Sequence, residues 1–201
     1  MERFTSLDVV RRRVWRRLQE AVADPGHAYR TLTFGTAQNG APHLRTVILR
    51  TTDPEARRLA FHTDRRSRKV EHIRALDRIA WLGWDPETKE QIRLHGTASV
   101  HLDDAVADAM WAAQAPSSLD IYVRPPAPGT PLDAPDDGLA ASVTDGPVMR
   151  EDVAGGRQHF AVVRTVIDEI EWLHLHPEGQ YRAQFRFDAS TEAFAGDWVV
   201  P

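Results

Sequence analysis

The 201-residue chain predicts an α+β domain built around an antiparallel β-barrel. Three observations carry this. Short runs rich in β-branched and aromatic residues are separated by turn dipeptides over most of the length. Asn39-Gly40, between two such runs, is a strong hairpin signal, and a hairpin makes antiparallel neighbours. The element order is helix, hairpin strands, helix, strands, helix, loop and three strands, which suits one barrel domain with a few peripheral helices spanning residues 1–201.

Residues 5–23 read as an amphipathic helix, because Leu7, Val10, Val14, Leu18 and Ala21 fall on one face. Thr5 and Asp8 have capping-box spacing, and Pro25-Gly26 ends the helix. Strands follow at 30–37 and 43–51, a turn at 52–55 containing Asp53-Pro54, and a third strand at 58–63. Residues 67–76 form a short helix with Val70, Ile73 and Leu76 inward. Strands at 78–84 and 91–102 precede a helix over 103–114, capped by Asp103 with Val106, Met110 and Ala113 as its stripe. From 115 to 157 the pattern dissolves into proline and glycine, and a loop of that length inside a domain is usually functional or mobile. Strands return at 160–175, 180–188 and 193–200.

Composition narrows the function. The 25 basic and 29 acidic side chains leave a formal charge of −4, which disfavours a nucleic-acid partner. There is no cysteine, so disulfides, iron–sulfur clusters, cysteine zinc sites and thiol catalysis are excluded. No run approaches the roughly 18 apolar residues of a membrane helix. The amino terminus lacks the apolar stretch of a secretory signal, and its acidic residues argue against a transit peptide. A soluble, cytoplasmic protein with no membrane partner is the expectation. No metal site is expected: His174 and His176 flank Leu175 without a clear third ligand. Gly-x-Ser-x-Gly, Gly-x-Gly-x-x-Gly and Walker-type patterns are absent. Only Lys69 and Lys89 are lysine, and the remaining basic residues are arginine.

Lys69 lies where an anion fits. Residues 62–69, His-Thr-Asp-Arg-Arg-Ser-Arg-Lys, leave a strand and enter a helix whose first N–H groups point outward. Ser67 adds a hydroxyl, and Arg68 and Lys69 add cations at a helix end whose dipole ordinarily prefers acids. In the strand containing 43–50, parity puts Arg45, Val47 and Leu49 on one face and Thr46, Ile48 and Arg50 on the other. An arginine flanked by apolar neighbours needs an anionic partner. In 91–96, Gln91, Arg93 and His95 share a face, and Gly96 marks a bulge or a close backbone approach. Gln91 can read a heterocycle edge through its amide, although a surface glutamine is the ordinary reading. His62 and His95 are the nearest acid–base candidates, and neither can be assigned such a role.

These segments, in this order, resemble the pyridoxamine 5′-phosphate oxidase-like FMN-binding split-barrel family. The matching pieces are 45–50, 61–63 with 67–69, 91–96, Trp172 with Arg182 ten residues on, and the closing 197–201. The resemblance implies an antiparallel split barrel and a homodimer with FMN at the subunit interface. It further implies that Arg45, Arg68 and Lys69 hold the FMN phosphate, assisted by Ser67 or Thr63. The main chain of Thr46, Val47, Ile48 and Leu49, and of His62 and Thr63, would run past the ribityl chain and ring, with Arg50 at the end of the first segment. Gln91 would meet the isoalloxazine edge, and Trp172 and Arg182 would come from the second subunit. The true oxidase has a lysine where Arg50 stands, a Tyr-x3-Arg-x3-Ser pattern, and an Arg-x-His pair. The corresponding stretches here, 111–119 and 178–180, have neither pattern. The chain therefore resembles an uncharacterised FMN-binding subgroup more than the oxidase itself.

An FMN-dependent oxidoreductase acting on a small organic substrate is the leading expectation. The flavin would bring the redox chemistry and the protein would orient it. A non-catalytic flavin-binding or sensing protein is the alternative. A haem-binding split barrel, suggested by nine histidines and fold analogy, is a third.

Overall fold

The computed structural model describes residues 3–136 and 147–201. Helix α1 (Leu7–Ala23) buries Val10, Val14, Trp15, Leu18 and Ala21, so the expected stripe forms with Trp15 added. The Thr5–Asp8 capping box does not. Ser6 holds the N-cap position without a side-chain bond, and Asp8 pairs forward with Arg11 and Arg12, each at 2.8 Å.

Strands β1 (Thr31–Gln38) and β2 (Ala41–Ile48) form the predicted hairpin in register from Thr31↔Ile48 to Gln38↔Ala41. Asn39 and Gly40, at φ 52° and 78°, supply the two left-handed positions that such a two-residue turn demands. The expected strand over 43–51 is broken at its end. Leu49 N donates to Arg30 O and Arg50 N to Ala60 O, both at 2.9 Å, so the chain leaves β1 and crosses to another strand. Thr51–Asp53 then forms a separate strand, β3, against β4 (Arg58–Asp64), where the sequence pattern places a turn. This crossing draws the two ends of the sheet together.

Among the described residues, nine strands make one antiparallel sheet that curls into a barrel-like form without closing. Its main path runs β2-β1-β5-β6-β7-β4-β3, with β5 at Arg78–Asp85, β6 at Glu90–His101 and β7 at Phe160–His174. Along one edge β7 pairs β6. On its other edge it pairs β4 through residues 160–166 and β8 (Tyr181–Asp188) through residues 169–174, and β9 (Ala193–Val199) follows β8. That shared edge is where the barrel divides. Gly96 sits at a register shift between β6 and β7, and a Cβ there would come 2.1 Å from Val166 O. The close approach read from the strand glycine is therefore present.

Helix α2 (Arg68–Ala75) buries Val70, His72 and Ile73. Leu76 is its C-cap and is 45% exposed, so the inward position expected for it belongs to His72 instead. Helix α3 (Ala105–Ala112) is capped by Asp104, which accepts from Ala107 N at 3.0 Å, and not by Asp103, which pairs with Arg65. Its inner face is Val106, Ala107, Met110 and Trp111, whereas Ala113 is exposed.

The described parts of 115–157 are more ordered than their composition predicts. Short 3₁₀ turns at Pro116–Ser118 and Asp120–Tyr122, with helix α4 (Arg150–Val153), pack Leu119, Tyr122 and Val153 against Trp111 and Phe160 in a second apolar cluster. Residues 137–146 of the expected loop lie outside the described residues.

Candidate functional site

Arg45 and Lys69 reach one place from different elements. Arg45 projects from β2 on the face that carries buried Val47 and Leu49, as strand parity requires. Its NH1 donates to Thr36 Oγ1 and His43 O at 2.8 Å and to Phe34 O at 3.2 Å. One nitrogen therefore fixes the guanidinium, while Nε and NH2 remain to be offered to a ligand. Lys69, in the first turn of α2, donates to Thr63 Oγ1 at 2.9 Å and Ser67 Oγ at 3.0 Å. Ser67 Oγ in turn donates to Asp64 O at 2.7 Å. Of the three ammonium protons, one is left over.

The electrostatics of this pair are unusual. Both cations are half-buried, and among the described residues neither has a carboxylate within 4.0 Å. Burial lowers the pKa of Arg45. Burial and then the neighbouring Arg45 charge lower that of Lys69, against a smaller upward pull from Asp64. Asp64 cannot serve as the missing counter-ion, because Arg66 grips its carboxylate with Nε and NH2 at 2.7–3.2 Å. Two cations held together in partial burial with only neutral oxygens around them form a cradle for an anion.

Two neighbouring cavities meet here. One, of about 410 Å³, is lined by Arg45, Ser67, Arg68, Lys69, Pro128 and Gly129. The other, of about 420 Å³, shares Ser67, Lys69, Pro128 and Gly129 and extends past His62, Thr63, Tyr122 and Arg124. Together they offer room in the range of small-molecule sites. Arg68 is exposed at the rim. His62 rests edge-on to Phe160 at 4.9 Å, and its Nε2 is buried with no hydrogen-bond partner among the described residues. Burial first, then the Arg50 charge, pushes its pKa down to about 4, so it is neutral at pH 7. Burial also lowers the Arg50 pKa, helped by Arg30.

The other expected contacts lie elsewhere. Thr46 and Ile48 point outward, the side chains of Val47 and Leu49 are in the core, and the Leu49 and Arg50 N–H groups are spent on Arg30 O and Ala60 O. Gln91 is on the outer face of the sheet between Trp84 and Leu173, away from both cavities. Trp172, expected as a cofactor contact, is fully buried within the chain. Its ring packs on Phe4, His174 and Tyr181, and Nε1 donates to Glu90 Oε2 at 2.8 Å. Glu90 is itself buried and gripped by Arg13, which is why the indole turns inward. Arg182 pairs with Glu171 and lines a separate cavity of about 510 Å³ with Tyr181 and Trp198.

Sequence reasoning missed several contributors. Thr36 bridges Arg45 NH1 at 2.8 Å and His72 Nδ1 at 3.0 Å, and the His72 ring lies 4.5 Å from that of His43. Arg66 ties the cradle to the segment beyond Tyr122. An Asp two residues before an Arg in a tight turn was a legible signal for the last of these, since Asp64 Oδ1 also accepts from Arg66 N at 2.7 Å.

The architecture is that of an α+β, barrel-like protein in which a half-buried pair of cations, suited to an anion, lies beside a cleft of small-molecule size. Residues 12–102, which contain the whole cradle, match the family model described as the pyridoxamine 5′-phosphate oxidase FMN-binding domain. A pyridoxine/pyridoxamine 5′-phosphate oxidase from Anaeromyxobacter dehalogenans (strain 2CP-C) is 37% identical over 98 residues, 48% of each chain. The pyridoxine/pyridoxamine 5′-phosphate oxidase 2 of Arabidopsis thaliana is 32% identical over 104 residues, 48% of this chain and 52% of its own. The matches thus span about half the length of these curated relatives. Among solved structures, a pyridoxamine 5′-phosphate oxidase-related FMN-binding protein from Nostoc punctiforme PCC 73102 superposes with TM-score 0.71 at 23% identity, over 94% of this chain and 96% of that one. PhzG from Burkholderia lata 383, in complex with tetrahydrophenazine-1-carboxylic acid, gives 0.66 at 18% identity over 98% and 94%. These two show the shared fold across nearly the whole chain, including the strands beyond residue 102.

Proposed function

We propose that the protein binds FMN, with the phosphate in the Arg45–Lys69 cradle, and acts as an FMN-dependent oxidoreductase on a small organic substrate. One observation carries the reading: two half-buried cations, fixed by neutral acceptors and unmatched by any carboxylate within 4.0 Å among the described residues, in the domain that matches an FMN-binding family. The donors fit a phosphate. Arg45 offers Nε and NH2, Lys69 offers its remaining proton, Arg68 stands at the rim, and the start of α2 adds N–H groups inherent to a helix's first turn. Thr63 and Ser67 hold Lys69 in place and are themselves buried. The flavin would supply electron transfer, which a cysteine-free chain cannot supply from a thiol.

The protein's part is to fix the phosphate, to place the ring along the adjacent cleft, and to keep His62 uncharged there. Its assembly as a homodimer belongs to the same reading. Leu44 and Ile48 of β2 and Leu82 and Trp84 of β5 stand on the outer face of the sheet, between 38% and 71% exposed, with Gln91 and Arg93 beside them. Pairing two such faces would cover this apolar surface and carry Gln91 and Arg182 towards the neighbouring subunit's cleft.

The test is a visible spectrum of the purified protein, with mass spectrometry of the ligand released on denaturation and steady-state turnover with a nicotinamide donor. A flavin spectrum, released FMN, and cycles of reduction and reoxidation are expected. A colourless protein that takes up no added FMN would overturn the cofactor assignment, and bound FMN that is never reduced would leave a flavin-binding protein without turnover.

A further inference from the structure

The segment 124–130 forms a wall of both cavities through Pro128 and Gly129, yet it is tied to the body by very little. Thr130 N and Oγ1 both donate to Ala127 O, which folds the segment on itself. Among the described residues, its hydrogen bonds to the rest of the chain come from one side chain. Arg66 NH1 donates to Pro125 O and NH2 to Arg124 O, both at 3.0 Å. The same guanidinium holds the buried Asp64 carboxylate at the end of β4, one turn from Ser67 and Lys69. A planar fork with five donors can span a carboxylate and two carbonyls at once, which an ammonium cannot. The prolines at 125, 126 and 128 keep the segment stiff, so that fixing one end positions the stretch over the cradle.

We propose that Arg66 is a positioning residue that latches the 124–130 strap over the anion cradle, and so sets how long a bound phosphate ligand stays. This rests on the FMN reading for the identity of the ligand and not for the latch itself. Recognition belongs to Arg45 and Lys69, which touch the ligand. Retention belongs to Arg66, which touches the strap. The two roles separate kinetically, since losing a recognition contact and losing a closing contact weigh differently on association and dissociation.

Removing Arg66 alone would also expose the Asp64 charge beside the cradle, so the informative variant is Arg66→Ala combined with Asp64→Asn. FMN dissociation from this double variant, followed by recovery of flavin fluorescence, should be about tenfold faster than from wild type, because the strap loses both of its hydrogen bonds to Arg66 while the ligand keeps its own contacts. Association should stay within about threefold, as expected of rates within one site. Unchanged dissociation, or a loss expressed wholly in association, would overturn the latch.

A second arm needs no cofactor. The chain has no cysteine, so Ala127→Cys introduces a unique thiol at a half-buried position that lines the cleft. Its reaction with iodoacetamide should be about tenfold faster when the Arg66 and Asp64 changes are added, because an unlatched strap is exposed more of the time. Equal rates in the two backgrounds would refute the proposal. If wild type takes up no FMN, the cofactor assignment falls, and this labelling comparison alone decides the latch.

Discussion

Trp172→Phe distinguishes a core residue from a cofactor contact. The indole is fully buried, and its N–H is bound to a carboxylate that is only 2% exposed. Phenylalanine keeps most of the ring packing on Phe4 at 6.0 Å and Tyr181 at 5.4 Å but removes the donor and part of the volume. A hydrogen bond to a charged group contributes roughly 1.5–3 kcal/mol. The lost ring volume adds about 1–2 kcal/mol in a site walled by strands that cannot collapse. The total is about 2.5–5 kcal/mol, and for a chain of this size that lowers Tm by roughly 5–20 °C. Urea and thermal unfolding of the flavin-free protein measure it directly. If the flavin-free variant unfolds within about 1 kcal/mol of wild type while FMN retention falls, the residue acts on the ligand and the buried assignment is wrong.

Three further outcomes follow. His62 has a folded pKa of about 4 against 6.5 for the free side chain, so the unfolded chain takes up the proton first. Stability from this residue is complete above the unfolded value and is lost as pH falls from 6.5 towards 4, by about 3 kcal/mol at most. His62→Phe should flatten that acid limb in chemical denaturation at pH 4–7, and an unchanged limb would contradict the assignment. Gly96→Ala places a Cβ 2.1 Å from Val166 O, which forces β6 and β7 apart and should cost about 3 kcal/mol or destroy the fold; a variant as stable as wild type would mean that the bulge is not as described. Ile48→Glu with Trp84→Glu, at two exposed positions of the outer sheet face, should halve the mass measured by analytical ultracentrifugation. A wild type already at single-chain mass would count against the dimer.

Much of the fold was legible because periodicity reports burial directly. The α1 stripe, the Asn39-Gly40 hairpin and the alternation of Ile92 and Leu94 against Gln91 and Arg93 all follow from one buried face per element. What the pattern missed was decided by contacts distant in sequence. Nothing local announces that Arg50 leaves the β1 side for Ala60 O, or that Asp104 caps α3 while Asp103 pairs with Arg65. The same division holds at the site. Arg45 and Lys69 could be read because a cation on an apolar face or at a helix start is locally anomalous. Thr36 and His72 could not, since each is unremarkable in its own element and gains meaning only where β1, β2 and α2 meet. The inward direction of Trp172 is equally invisible locally, because it depends on Glu90, eighty-two residues away.

The central claim is that Arg45 and Lys69 hold a phosphate, and comparing FMN with riboflavin, which lacks that group, tests it most directly. Equilibrium fluorescence titration of wild type and of the Arg45→Ala, Lys69→Ala variant with both ligands gives four affinities. Two charge-assisted contacts of roughly 1.5–3 kcal/mol each predict that wild type prefers FMN by about 10²- to 10⁴-fold and that the variant binds the two ligands alike. Wild type binding riboflavin as tightly as FMN, or a variant that keeps the preference, would contradict the account.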